Sequence, residues 1–294
     1  MAARAPLTRV TLGAASVVDD LGYVALADLA RALGGLSEDY RVIGGHMVTV
    51  LAARWQLGQE LYRETGDVDL GIPPIVARDH DVVSRLKALN YVQIAGNRFA
   101  RGLSDIPAGI KEMGGSGDPE ALIDVLIPAY TSRAHENVQV GEDLFTTEVP
   151  GLQLALARPP ATVTLELLRL NGEMLECELP FADEVSALVL KGLATRVRSK
   201  DTDIADIWRC LEIAFAAGVG PENFASGVRV ESAELIRSLF SSRRNAPVAA
   251  LAPGQRLSAE AVDARLTRIR ALIARVLGSG LHGVITRDRS TTPK

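Results

Sequence analysis

Aromatic residues make up only 4% of the 294-residue chain, which argues against a sheet that holds RNA by stacking bases on rows of Phe and Tyr. Cysteine is also scarce. Cys177 and Cys210 form no C-x-x-C pair, so zinc and dithiol chemistry lose support, and both are expected to be small buried hydrophobes. No run of about 18 uncharged apolar residues occurs, so no segment is expected to span a membrane. Residues 1–18 lack the continuous apolar stretch of a secretory signal, and the expected location is cytoplasmic. An overall positive charge is missing too, the formal net charge being −4. That total hides an asymmetry: from Glu231 to the end there are 11 Lys and Arg against 5 Asp and Glu, a net of +6 against −10 for the rest. Phosphate backbones respond to local potential, so the basic C-terminal region permits an RNA partner.

What is present suffices for a sizeable core, with 47% hydrophobic residues. The first 15 residues are weakly patterned and are expected to be loose. Apolar spacing predicts a helix over 21–33; a β-prone run over 40–43 meets Gly44-Gly45, and a helical pattern follows over 46–55. That is strand, tight glycine turn, helix. Asp67-Val68-Asp69-Leu70-Gly71-Ile72 alternates with the period of a half-buried strand until Pro73-Pro74 stops it. A helix over 78–89, paired strands over 91–94 and 97–101, a loop over 114–119 and an apolar strand over 121–127 come next. Strands over 161–168 and 174–179 are joined by Asn171-Gly172. From Phe181 onward the pattern is helical, over 181–197, 201–217, 221–228, 231–240 and 258–277, before a polar tail over 287–294. Strands first and helices second predict an α+β fold, a mixed sheet with flanking helices over residues 1–180 and an all-helical domain over 181–294.

Asp67 and Asp69, at i and i+2 of a strand, project from the same face. Parallel carboxylates offer the hard oxygens that Mg²⁺ takes from protein while it fills its other positions with water and phosphate. Alone, D-x-D also describes two solvated aspartates at a strand end, or a glycosyltransferase site. Its neighbours add weight. Gly44-Gly45 stands at a strand-to-helix turn, where backbone N–H groups and the helix dipole can receive phosphate. Asp124 lies between Ile123 and Val125 on an apolar strand, where a charge needs a cation or hydrogen bonds; it is the candidate third carboxylate, or else a cap for neighbouring backbone. Lys191 falls mid-helix among Val189, Leu190 and Leu193, so its ammonium seeks an anion, either Asp206 on the next helix or a triphosphate, two roles that are compatible because a carboxylate can orient the ammonium. Arg196, Arg198 and Lys200 fit a solvated helix end. Asp203 and Asp206 share a helix face.

Gly44-Gly45, the string Arg63-x-Thr65-x-Asp67-Val68-Asp69-Leu70, and Lys191 followed by Arg196, Lys200-Asp201, Asp203 and Asp206 together resemble the AbiEii-type nucleotidyltransferases, which include the MenT toxins of toxin–antitoxin systems. The likeness spans roughly residues 42–211 and is strongest in the two motif blocks. It implies a nucleotidyltransferase core like that of DNA polymerase β, completed by the helical half, with an NTP co-substrate and Mg²⁺ or Mn²⁺. Carried over by position, Asp67 and Asp69 bind metal, Lys191 and Asp206 act at the nucleotide, and Arg63 approaches the phosphates. The wider superfamily opens its motif with Gly-Ser; here Gly44-Gly45-His46 leaves the phosphate grip to backbone N–H groups and His46, if His46 is not simply a helix N-terminal residue. For the MenT branch the resemblance implies an RNA acceptor, foremost the 3′ end of tRNA, and a cognate antitoxin. The alternative is transfer to a protein or small molecule by the same metal site. Arg237, Arg243, Arg244, Arg265, Arg268 and Arg275 are the candidate RNA contacts.

Overall fold

The computed structural model describes residues 5–104, 119–131, 134–197, 201–242 and 258–279. Along the chain the elements are β1 (Arg9–Gly13), α1 (Val17–Ala32), β2 (Arg41–Ile43), α2 (Gly44–Arg54), β3 (Asp67–Gly71), α3 (Pro74–Asp79), α4 (Val82–Ala88), β4 (Val92–Gln93), β5 (Arg98–Gly102), β6 (Glu120–Pro128), β7 (Val138–Val140), β8 (Leu144–Val149), α5 (Leu152–Ala157), β9 (Ala161–Leu168), β10 (Met174–Phe181), α6 (Glu184–Val197), α7 (Asp201–Ala216), α8 (Val228–Leu239) and α9 (Ala259–Val276). Single 3₁₀ turns lie at Gln59–Leu61 and Pro221–Phe224.

Ten strands form one mixed sheet in the order β1-β9-β10-β2-β3-β6-β5-β4, with β8 beside the far end of β6 and β7 beside β8. The long strand β6 is central to it. One of its edges runs parallel to β3, while the other pairs first with antiparallel β5 and then with parallel β8. Helix α1 lies across β3, β6 and β10, and α2 packs on α6 and α7. A contiguous core links these layers, from Val10 and Leu12 on β1, through Val68 and Leu70 on β3, to Ile207 and Leu211 on α7. This is the expected α+β arrangement, a mixed sheet with flanking helices followed by a helical C-terminal part. No helix among the described residues is long and apolar enough to cross a membrane.

Several local expectations are corrected. The N-terminal residues are not loose from Arg9 onward: Val10 and Leu12 turn into the core, and β1 pairs in parallel with β9, a partner more than 150 residues away. On its outer face Arg9 bridges Glu166 and Glu176, each at 2.8 Å. The helix expected over 78–89 is broken in two, because Asp81 takes a left-handed conformation (φ 46°) and caps α4 by accepting from the Ser84 N–H at 3.2 Å. The helix expected over 221–228 is a single 3₁₀ turn, and the strands β7 and β8 had no counterpart in the sequence reading. Cys210 is buried as expected, whereas Cys177 is only half-buried. The loop at 114–118 and the tail lie outside the described residues.

Candidate active site

The site is laid out by strand register. Ile43 of β2, Asp69 of β3, Asp124 of β6 and Arg98 of β5 are successive partners, so one residue from each of four neighbouring strands falls in a single row. Paired residues share a face of the sheet, which sets Asp69 beside Asp124 with Asp67 on the same face of β3, while Val68 and Leu70 turn into the core. Arg98 closes the row. Its Nε donates to Asp124 Oδ1 at 2.8 Å, and its Nη2 donates to Asp124 Oδ2 at 2.6 Å and to Asp67 Oδ2 at 3.3 Å. The hydrogen bonds to Asp124 and the surrounding carboxylates outweigh burial and hold the Arg98 guanidinium more firmly protonated than usual. Asp67 also accepts from the Thr65 hydroxyl at 3.3 Å.

Helix α2 begins where β2 ends. Gly44, at φ 73°, makes that turn, and a Cβ there would stand 1.7 Å from Asp69 Oδ2, so only glycine lets the helix head and the carboxylate share the space. A Cβ on Gly45 would meet Thr65 Oγ1 at 2.7 Å. His46 points elsewhere. It is 3% exposed, its ring faces Gly22 of α1, and its Nε2 has no hydrogen-bond partner among the described residues. Burial pushes its pKa down to about 4, with Asp67 drawing it up and Arg63 pressing it down, so at neutral pH the ring is an uncharged packing residue. Of the two roles open to His46 in the sequence, the buried ring fits the helix N-terminal residue.

Behind this face lies a buried charge cluster. Asp206 of α7 is fully buried, and its Oδ2 receives Arg63 Nη1 at 2.6 Å and Lys191 Nζ at 2.8 Å, while its Oδ1 receives Arg209 Nη1 at 3.1 Å. Lys191 Nζ also stands 3.9 Å from Asp203 Oδ1. Burial disfavours the ionised carboxyl, but Lys191, Arg63 and Arg209 outweigh it and keep the Asp206 pKa below the ordinary value. Lys191 thus pairs with Asp206, a contact that is compatible with a second role toward a triphosphate because the carboxylate orients the ammonium.

A cavity of about 280 Å³ joins the two groups: Gly44, Asp69 and Asp124 line its sheet side, and Lys191 and Asp203 its helical side. Asn97, Thr147 and Glu148 complete its polar lining. Five of the residues singled out in the sequence, Gly44, Asp69, Asp124, Lys191 and Asp203, thus converge on one space. Arg63 and Asp206 stand behind it, tied to each other and to Lys191, and Gly45 packs on Thr65. Arg98, Asn97 and Glu148 were not anticipated. The only sequence signal for Arg98 was a charge on a strand, and its meaning depends on a register with β6 that local pattern does not reveal.

No protein-family model matches the chain, and no curated protein matches it. Among solved structures, an antigenic nucleotidyltransferase-like protein from Paracoccidioides brasiliensis is similar at 19% identity and a TM-score of 0.42, over 75% of this chain and 88% of that one. So loose a likeness leaves the functional reading to the site itself.

The donor set suits a hard divalent cation: carboxylates from adjacent strands facing a cavity, with a glycine helix head and an ammonium across from them. Among the described residues no three His, Cys, Asp or Glu side chains form a ready-made metal cage, and Asp124 and Asp67 are both hydrogen-bonded by Arg98. In the helical part, Arg237 donates to the carbonyls of Leu277 and Gly278 at the end of α9, Arg265 stacks 3.8 Å over Trp208, and Arg268 pairs with Glu212 at 2.6 Å. Arg275 is exposed on α9, whereas Arg243 and Arg244 lie outside the described residues.

Proposed function

We propose that the chain is a metal-dependent nucleotidyltransferase of the AbiEii type that transfers a nucleoside monophosphate from an NTP to RNA. The acceptor in this reading is the 3′ end of tRNA, and blocking it halts translation and growth, as a MenT-like toxin neutralised by an antitoxin would. The observation that carries the reading is the convergence of Asp69 and Asp124 with Gly44 and Lys191 around one cavity.

An acceptor hydroxyl attacks the α-phosphorus of the NTP and pyrophosphate leaves. Asp67, Asp69 and Asp124 would hold Mg²⁺ or Mn²⁺, which when bound neutralises phosphate charge and favours ionisation of the attacking hydroxyl. The N–H groups at the head of α2, freed of side chains by Gly44 and Gly45, receive phosphate oxygens. Lys191, oriented by Asp206, presents its ammonium to the triphosphate, and Arg63 fixes Asp206 from the other side. Fixed charges in a space lined by core residues supply most of the rate by positioning and neutralisation. Residues 1–180 form the nucleotidyltransferase domain in this scheme, and 181–294 the domain that completes the site and meets RNA.

The test is incubation with each α-phosphate-radiolabelled NTP, Mg²⁺ and total tRNA. Label should enter RNA and disappear in Asp69→Ala. Undiminished labelling by Asp69→Ala would refute the metal site, and labelled protein beside unlabelled RNA would move the acceptor to a protein side chain.

A further inference from the structure

Arg98 is the one charged group in the carboxylate row that the chemistry above leaves without a task. Its fork takes both oxygens of Asp124, at 2.8 and 2.6 Å, and reaches Asp67 at 3.3 Å. The meeting is imposed by the sheet, because Arg98 and Asp124 are register partners and Asp124 is in turn the partner of Asp69. The guanidinium therefore stands among the carboxylates that would bind a divalent cation and engages both oxygens of Asp124 and one of Asp67. A cation that takes Asp124 as a ligand must share with the fork the few lone-pair directions of these two oxygens, beside a permanent positive charge that repels it. Arginine suits such a post better than lysine, since its charge is permanent and its planar fork matches a carboxylate at two points.

We propose that Arg98 is the resident counter-cation of this cluster: it holds Asp124 and Asp67 together in the absence of metal and competes with the divalent cation for them, so that metal binding makes the fork release Asp124. The proposal rests on the reading of Asp67, Asp69 and Asp124 as the metal site. Its consequence is a weakened affinity for free metal, which is recovered when an anionic triphosphate enters alongside and compensates the guanidinium.

The test is a Mn²⁺ titration of the full chain and of Arg98→Gln, with free Mn²⁺ read by its electron paramagnetic resonance signal and folding checked by circular dichroism. Arg98→Gln should bind Mn²⁺ at least about tenfold more tightly, a difference well above titration error. Unchanged or weaker binding by Arg98→Gln overturns the proposal but leaves the metal site standing, with Arg98 then a support for Asp124. If neither protein binds Mn²⁺, the metal-site reading falls with it. Should Arg98→Gln fail to fold, the unaltered protein still decides. The Nε–H resonance of Arg98, assigned by its loss in Arg98→Lys, should shift when Mg²⁺ saturates the site, and a stationary resonance overturns the proposal.

Discussion

Arg63 and Asp206 meet at 2.6 Å across 143 residues of chain, and Lys191 takes the same carboxylate oxygen at 2.8 Å. The pair joins the segment that leads into β3 to helix α7, so the strand that carries Asp67 and Asp69 and the helix that steadies Lys191 are fixed to each other by charge as well as by packing. Asp206 is fully buried and is the common anion of Arg63, Lys191 and Arg209, so removing it strands three cations at once, whereas removing one cation leaves two on the carboxylate.

Loss of Asp206 should therefore harm the protein more than loss of any one partner. Asp206→Ala leaves buried cations facing one another and is expected to cost about 3–5 kcal/mol, the range for breaking a buried pair from one side. Lys191→Met, which leaves Arg63 and Arg209 on Asp206, should cost less while removing nucleotide transfer. Urea denaturation of the two variants checks the order, and equal losses would contradict it.

His46 makes stability depend on pH. Its folded pKa is about 4 against 6.5 for the free side chain, so between those values the unfolded chain binds the additional proton. The stabilisation is complete above pH 6.5 and is lost progressively as pH falls towards 4, by at most about 3 kcal/mol. Asp206, whose pKa is lowered from 3.8, adds a second loss only at more acid pH. His46→Leu, which fills an apolar setting and removes the unpartnered Nε2, should flatten the melting temperature between pH 7 and 4.5. An unaltered slope would assign that dependence to other groups.

The sequence disclosed what local pattern can carry. Alternation in Asp67–Gly71 gave the strand and the common face of its aspartates, and the charge at Asp124 stood out because its neighbours are apolar. Lys191 announced itself in the same way, as a cation on an otherwise apolar helix. What stayed hidden depends on partners distant in the chain. Arg98 acquires its role only through pairing with β6, and β1 becomes a strand only against β9. The C-terminal arginines show the same limit from the other side, since counting charge does not reveal that Arg265 is spent on Trp208 and Arg268 on Glu212.

Gly44 offers a sharper test of the site than an aspartate does. Gly44→Ala would place a methyl group 1.7 Å from Asp69 Oδ2 and hold a non-glycine residue at φ 73°, which alone costs about 1–2 kcal/mol. Asp69 must move, so Mn²⁺ affinity and nucleotide transfer should both fall at least about tenfold, the equivalent of about 1.4 kcal/mol. Gly102→Ala is the control, because a Cβ there meets nothing within 4 Å among the described residues. Equal behaviour of the two variants would separate the head of α2 from the metal.

The basic helical part is expected to divide into arginines that hold the fold and arginines that hold RNA. Arg265 lies with its guanidinium 3.8 Å over the Trp208 ring and is partly desolvated, so Arg265→Ala should cost about 1 kcal/mol of stability from the lost cation–π contact. Arg275 sits exposed in the last turn of α9, where a cation complements the helix dipole, so charge reversal there should lower stability by no more than about 1 kcal/mol. If α9 faces tRNA, Arg275→Glu weakens tRNA binding for every sequence alike and lowers the dependence of log affinity on log salt by about one unit, the loss of one phosphate contact. Thermal melts and filter binding over a series of salt concentrations measure both quantities on the same two proteins. A salt slope untouched by Arg275→Glu would remove this residue from the RNA surface.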